Sequence, residues 1–191
     1  TFNLKTYRQI RKRPIYDKHE RIFDYEDERY GTVISLGQQM EKLGNTQIQF
    51  KSETIKTKHS PNSGIKNEKK EIRSFILQSV IDSYDRYPVP MQGNINVIYI
   101  ESSNEFFGGT EQFVKLYWGG SYVRTFLKKH SFSGSFALGT ADASTPGIDS
   151  FTLGGNTTRL NCYNSDSARS QFYADFPGLG IEERTGNYLA T

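Results

Sequence analysis

The chain has 191 residues, enough for one domain, with a formal net charge of +3, one Cys and three His. So small a charge does not indicate a nucleic-acid partner, and one Cys excludes an internal disulfide framework and a cysteine metal cluster. No apolar run reaches the roughly 18–20 residues that a membrane-spanning helix needs. The His residues are scattered in polar stretches, so we expect no metal site.

Seven segments alternate between large apolar and small or polar residues with a period of two, which predicts β-strands. In chain order they cover residues 2–11, 29–38, 46–58, 69–81, 94–103, 111–126 and 130–139. The third is the clearest, because Ile48 and Phe50 share one face while Lys51 and Glu53 share the other. Helix signals are sparse, so we predict an all-β chain.

The connections between these segments alternate in length. Residues 40–44 and 127–130 are short turns, whereas 11–28, 58–70 and 102–110 read as long polar loops. This pattern predicts an antiparallel up-and-down meander, as in outer-membrane barrels with short turns at one end and long loops at the other. A soluble β-sandwich with one wet face alternates in the same way. The polar face of the third segment favours a watery lumen, so we predict a partial transmembrane β-barrel, about half of a 16-strand barrel.

In such a barrel the charge-free face of each strand should meet lipid. We expect the lipid-facing residues to include Ile48, Phe50, Ile95, Val97, Val114, Leu116, Phe132 and Phe136. Lys51 and Glu53 should then point into the lumen.

The stretch IDSYDRYPVPMQG, residues 81–93, predicts an ordered turn. Asp can accept hydrogen bonds from backbone N–H groups, Pro cannot continue a strand ladder, and Gly supplies a positive φ. Asp82 and Asp85 also have the spacing of an acid–base pair, but in a Pro-rich turn we interpret them as capping groups. We expect this turn at the opposite end of the sheet from the connections at 58–70 and 102–110.

The same stretch resembles the D-x-x-D…P-x-x-G turn of the bacterial surface-antigen outer-membrane β-barrel superfamily, through Asp82, Asp85, Pro88 and Gly93. That superfamily includes the assembly barrel BamA, two-partner-secretion transporters and the C-terminal barrels of some patatin-like phospholipases. The resemblance covers most of the chain from about residue 28 and implies that the turn lies on the periplasmic side.

Later motifs follow in the family's order. The stretch TPGIDSFTLGG, residues 145–155, resembles the family's P…F-x-L-G-G start of a long loop that folds into the lumen, through Phe151, Gly154 and Gly155. The resemblance implies a lumen-folding loop over residues 145–186. We expect it to plug the lumen, with Glu183 or Arg184 pairing with Lys51, Glu53 or Lys115.

Two stretches are alternative candidates for the tip of this loop. One is Arg159–Tyr163; the other is Phe176–Leu179, which includes Gly178. The second is followed by Glu183 and Gly186 at the offsets of patatin-linked barrels, although Pro177 stands where the family carries Arg.

The stretch from Glu28 to Ile55 also resembles patatin-linked barrels, through a strand that ends in Leu-Gly, a short turn with Gly-Asn and then a polar–apolar strand. The resemblance implies that residues 1–191 are a fragment of one bacterial outer-membrane β-barrel domain, the C-terminal anchor or translocator of a patatin-like phospholipase. Its partners would be outer-membrane lipid and a covalently linked N-terminal passenger domain, with no nucleic acid. An outer-membrane assembly or two-partner-secretion pore is the alternative within the family, and a soluble β-rich binding module is the alternative outside it.

A patatin-type hydrolase needs a Gly-x-Ser-x-Gly elbow. No such pentapeptide occurs, and Gly119–Val123 lacks the closing glycine. We therefore expect no catalytic residue, no cofactor site and no enzymatic activity in this chain.

Overall fold

The computed structural model describes residues 1–40, 44–58, 68–87, 89–127, 130–146, 150–154, 173–174, 179 and 183–190. In chain order the strands are β1 (Phe2–Asp17), β2 (Glu20–Met40), β3 (Gly44–Lys58), β4 (Glu68–Asp82), β5 (Gln92–Ser103), β6 (Phe113–Phe126), β7 (His130–Ala141), β8 (Phe151–Leu153), β9 (Tyr173–Ala174), β10 (Arg184–Gly186) and β11 (Tyr188–Ala190).

One eight-stranded sheet dominates the structure, in the order β1-β2-β3-β4-β5-β6-β7-β11, and it curls into a half-barrel. Every pair within it is antiparallel, and each strand through β7 pairs with the next in sequence. The predicted all-β meander is therefore confirmed. A separate three-stranded sheet has the order β10-β8-β9. Across the described residues, no helix has the length and apolar character to cross a membrane.

The predicted loop over residues 11–28 is wrong. β1 and β2 continue as a paired hairpin to a two-residue turn at Lys18 and His19, and Asp17 faces Glu20. Both turn residues have positive φ, 46° and 73°, as two-residue hairpin turns that match strand twist require. The segment looked like a loop because charged residues occur on both of its faces. A hairpin that projects beyond the rest of the sheet needs no apolar face, since the ladder satisfies its backbone.

Side chains alternate cleanly between the two faces of the large sheet. The inner face carries the core, a cluster of Ile76, Val97, Tyr99, Tyr117, Ala137, Ala141, Phe151 and Leu189, and a smaller cluster of Ile55, Ile72 and Phe113. Lys51, Glu53 and Lys115 lie on the same face and are fully buried. The outward face carries Ile48, Phe50, Val114, Leu116, Phe132 and Phe136.

The assignment of Ile95 and Val97 to the lipid-facing side is wrong. Both point inward and are buried, 6% and 0% exposed, whereas Ile98 and Ile100 point outward. The reason is that β5 is apolar on both faces, so a charge-free face does not by itself identify the outside.

The connections fall at the ends that the meander requires. Thr110 N donates to Glu71 O over 2.7 Å, which holds the β5–β6 connection beside the start of β4. At the other end Thr125 N donates to Met91 O over 2.9 Å, which joins the β4–β5 turn to the end of β6. The Asp82–Gly93 turn is thus opposite the β5–β6 connection and the end of the sheet at which β3 stops and β4 starts, as predicted; residues 59–67 lie outside the described residues.

Candidate functional site: outward belt, buried charge network and turn

The outward face forms a continuous apolar belt across the sheet. Strand register brings into one row Phe2, Leu36, Ile48, Leu77, Ile100 and Leu116. A second row contains Leu4, Ile34, Phe50 and Phe75. These side chains are largely exposed; Ile48, for example, is 59% exposed. An exposed apolar surface of this extent is a site for lipid or for a partner.

The height of the belt suits a bilayer. On β3 every outward residue from Thr46 to Thr54 is uncharged. At a rise of about 3.4 Å per residue and a tilt near 40°, such a stretch spans about 20–25 Å. The apolar band of an outer-membrane barrel is about 25 Å tall.

The inner face carries a buried charge network centred on Lys51. Its Nζ lies 2.5 Å from Glu101 Oε1 and 3.9 Å from Glu53 Oε2, and all three side chains are at most 1% exposed. Ser74 Oγ and Tyr99 OH each donate to Glu101, over 2.7 Å. Because an isolated buried charge is costly, these groups hold one another in the interior.

The network continues toward β1. Tyr7 OH donates to Glu53 Oε1 over 2.8 Å, and Arg29 Nη1 lies 3.5 Å from Glu53 Oε2. Arg29 Nε in turn donates to Asp27 Oδ2 over 3.0 Å, and Arg13 Nε lies 3.5 Å from the same oxygen. Five neighbouring strands, β1 to β5, are thereby joined on their inner face by polar side chains.

Residues 150–154 fold back onto this inner face. The Phe151 ring lies 4.9 Å from Lys115 Nζ and stacks on Tyr117 with 6.4 Å between centroids. Gly139 makes the room, because a Cβ there would lie 2.5 Å from the Phe151 ring. The ring covers a buried cation, a cation–π contact that replaces hydration.

The structure brings some of the predicted lumen-loop residues together. Phe151 of β8 pairs with Gly186 of β10, and Gly154 follows with a φ of 134°. Gly155, Phe176, Gly178 and the tip candidate Arg159–Tyr163 lie outside the described residues, as does most of Phe176–Leu179.

Glu183 lies at the tip of the β1–β2 hairpin. Its Oε1 is 2.5 Å from His19 Nδ1, and Arg184 Nη2 is 3.5 Å from His19 Nε2. The expected pairing of Glu183 or Arg184 with Lys51, Glu53 or Lys115 stays a prediction.

The Asp82–Gly93 turn is built around Asp85. Its Oδ1 accepts hydrogen bonds from Met91 N and Gln92 N, over 2.9 and 3.1 Å. These bonds, with help from Arg86, hold the pKa of Asp85 below its usual value. Asp82 Oδ1 accepts from Tyr84 N over 3.0 Å.

Gly93 completes the turn. Its φ of 117° is open to glycine, and a Cβ there would lie 2.3 Å from Ser83 O. Pro88 lies outside the described residues.

A protein-family model, that of the Omp85 superfamily domain, matches residues 1–174. The chain belongs to the Omp85 superfamily. Members of this superfamily are outer-membrane β-barrel proteins, and the half-barrel with its outward belt is a segment of such a barrel. No curated protein matches the chain.

Sequence reasoning missed most of the charge network in this Omp85 domain. Arg13 and Asp27 fell in the supposed loop, Arg29 began a predicted strand with no role assigned to it, and Glu101 was also left unassigned. The alternation of side chains along a strand could have placed Glu101 in the interior, because Glu101 lies on the same face of β5 as Val97 and Tyr99. In the described part of the chain, no group of three or more His, Cys, Asp or Glu side chains is arranged to hold a metal ion.

Replacing Leu116 by Arg should destabilise the full-length Omp85 protein in lipid vesicles. A charged residue on the lipid face costs roughly 2–4 kcal/mol at the bilayer midplane and about 0–1 kcal/mol near the interface. Thr54→Arg, at the border of the belt, is the matched control. Reversible denaturant unfolding in vesicles measures both; equal costs for the two variants would contradict the placement of the belt.

Glu101→Gln should destabilise the barrel by about 3–5 kcal/mol, because it removes the carboxylate that lies 2.5 Å from the buried Lys51 ammonium group. The double variant Lys51→Met with Glu101→Gln should lose less than the sum of the two single variants. Lys58→Met removes a half-exposed cation from Glu28, which keeps its ion pair with Arg8, and should cost only about 0–1 kcal/mol. The same unfolding measurement applies, and additive single effects would show that the pair does not interact.

Asp85→Ala should increase amide hydrogen exchange at residues 91–92 at neutral pH, and Asp85→Asn, which keeps an acceptor oxygen, should increase it less. A carboxylate whose pKa is lowered by folding stabilises the turn above its unfolded pKa and loses that effect as pH falls through the folded value. The difference between wild type and Asp85→Ala should therefore shrink below about pH 4. A difference independent of pH would rule out the carboxylate as its source.

Proposed function

We propose that this chain is part of the C-terminal anchor or translocator barrel of a patatin-like phospholipase in the bacterial outer membrane. The membrane location is supported by the difference in charge between the two faces of β3. On β3 the outward face from Thr46 to Thr54 is uncharged, while Lys51 and Glu53 on the opposite face are 0% and 1% exposed. A soluble β-rich module has no reason to expose such a belt.

The proposal of a patatin-linked barrel rests on two sequence resemblances and on where those stretches lie in the fold. The stretch that resembles patatin-linked barrels forms much of β2 and β3, with Gly44 at a φ of 64° where β3 begins. A Cβ at Gly44 would lie 2.2 Å from Val80 O of β4, so this position needs glycine. Glu183 and Gly186, at the offsets of patatin-linked barrels, frame β10, which pairs with β8.

The motifs absent from this chain bear on which part of the protein would carry the hydrolase activity. The chain contains no Gly-x-Ser-x-Gly elbow, so acyl hydrolysis would be the work of a passenger domain linked to the N-terminal side. The barrel would contact outer-membrane lipid through its belt and hold the passenger at the membrane. It would bind no nucleic acid and carry no enzymatic activity of its own.

The test uses the full-length gene product in outer-membrane vesicles. We expect release of fatty acid from phospholipid, abolished by Ser→Ala in an elbow outside residues 1–191, and retention of the protein in the membrane after alkaline carbonate washing. Periplasmic repeat domains in place of a hydrolase, with loss of other outer-membrane proteins on depletion, would instead favour an assembly pore. Release into the carbonate wash would contradict the membrane location.

A further inference from the structure

Beyond the apolar belt, the outward face carries a patch of charged residues at the long-loop end of β1–β4. Strand register stacks Arg8, Ile10 and Lys12 of β1 against Tyr30, Glu28 and Glu26 of β2. The adjoining outward positions are Lys56 and Lys58 of β3 and Lys69, Glu71 and Arg73 of β4. We call this set the basic patch. Its six cations and three carboxylates give it a net charge of +3.

The carboxylates of the basic patch are already engaged. Glu28 pairs with Arg8 over 2.8 Å and with Lys58 over 3.3 Å, and Glu71 pairs with Lys69 over 2.7 Å. Lys56 instead lies 5.1 Å from the centroid of the Tyr30 ring. Among the described residues, Lys12 and Lys56 have no carboxylate within 4 Å, so their charge is available to an anion.

The position of the basic patch is that of a lipid headgroup layer. Thr54 is the last uncharged outward residue of β3, and Lys56 and Lys58 follow directly. These two lysines therefore lie about 5–10 Å beyond Thr54 along the tilted strand, whereas Arg8 is level with Thr54 and Arg73 with Ser52, at the edge of the apolar band. At the other end of the same strands the outward residues are uncharged, namely Gln38, Met40, Thr46 and Ser79.

An aromatic cluster adjoins the basic patch. Phe107 packs edge-on against Phe75 with 4.9 Å between centroids and lies 6.4 Å from Phe50. Both partners belong to the belt. Phe106 beside it is 87% exposed.

A short 3-10 turn fixes these rings. Asn104 Oδ1 accepts from Phe106 N over 2.9 Å, and Gly108 ends the turn with a φ of 83°. The loop is tied to β4 through Thr110 N and Glu71 O. The apolar tip is therefore continuous with the lipid-facing belt, and it adjoins the basic patch at Arg73, which is two residues from Phe75 on the outward face of β4.

We propose that the basic patch and the Phe106–Phe107 tip bind a lipid with an anionic phosphate headgroup. Lys12 and Lys56 hold the phosphate, and the phenyl rings contact the upper part of the acyl chains. Juxtamembrane Lys and Arg attract anionic lipid surfaces, and aromatic side chains settle at the interface. The inference rests on the membrane orientation of the barrel and not on the patatin assignment.

The first experiment measures lipid binding to the full-length protein in detergent by native mass spectrometry. The probes are phosphatidylglycerol and phosphatidylcholine with identical acyl chains. Wild type should prefer phosphatidylglycerol, and Lys12→Gln with Lys56→Gln should bind it roughly tenfold to thirtyfold more weakly, with little change for phosphatidylcholine. The control, Arg86→Gln with Arg124→Gln, removes the same charge at the other end of the sheet and should bind like wild type.

Three outcomes would overturn the proposal. The first is an unchanged preference for phosphatidylglycerol in the Lys12 and Lys56 variant, and the second is an equal loss of phosphatidylglycerol binding in the control. The third is displacement of the lipid by millimolar inorganic phosphate, which would mark a site for free phosphate. A second measurement uses Phe106→Trp in a Trp118→Phe background in vesicles. Brominated acyl chains should quench the added fluorescence, and a lack of quenching would place the tip outside the lipid.

Discussion

The buried pair of Lys51 and Glu101 decides which side of this sheet can face lipid. The two charged atoms lie 2.5 Å apart and both side chains are at most 1% exposed, so neither can be moved to a hydrocarbon surface without a large free-energy cost. Successive side chains of a strand point to opposite faces. Because Lys51 points inward, Ile48 and Phe50 point outward. The hydrogen-bonded register of β3 with β2 and β4 then fixes which side chains of those two strands point outward. Shifting a strand by one residue would invert every one of these assignments.

The rest of the architecture follows from this constraint. Inside, the carboxylates of Asp27, Glu53 and Glu101 are shared among cations and hydroxyl groups from several strands, and Phe151 returns to cover Lys115. Outside, the strands need only remain uncharged over the thickness of the apolar layer. Beyond that layer the constraint disappears, which is why the β1–β2 hairpin continues to Lys18 with polar residues on both faces.

These physical differences explain what could be predicted from sequence. From Thr46 to Thr54 of β3 and from Val114 to Tyr122 of β6 charge occurs on the inner face only, so alternation assigned Lys51, Glu53, Leu116 and Lys115 correctly. In β5 both faces are apolar, and only Glu101 at its far end shows that Val97 points inward. The hairpin at 11–28 was mistaken for a loop because pattern reasoning expects each strand to bury one face. The contact of Phe151 with Lys115 joins residues 36 apart and depends on the space left at Gly139, which no local pattern reveals.

The assignment of inside and outside can be measured directly by spin labelling of the full-length protein in lipid vesicles. Single cysteines at Ile48, Gln49, Phe75 and Ile76, in a background with Cys162 replaced by Ser, sample adjacent residues on two paired strands. Collision rates with oxygen, which dissolves in lipid, should be high at Ile48 and Phe75 and low at Gln49 and Ile76. Equal oxygen collision rates at neighbouring positions, or access of a water-soluble nickel chelate to Ile48 and Phe75, would contradict the account.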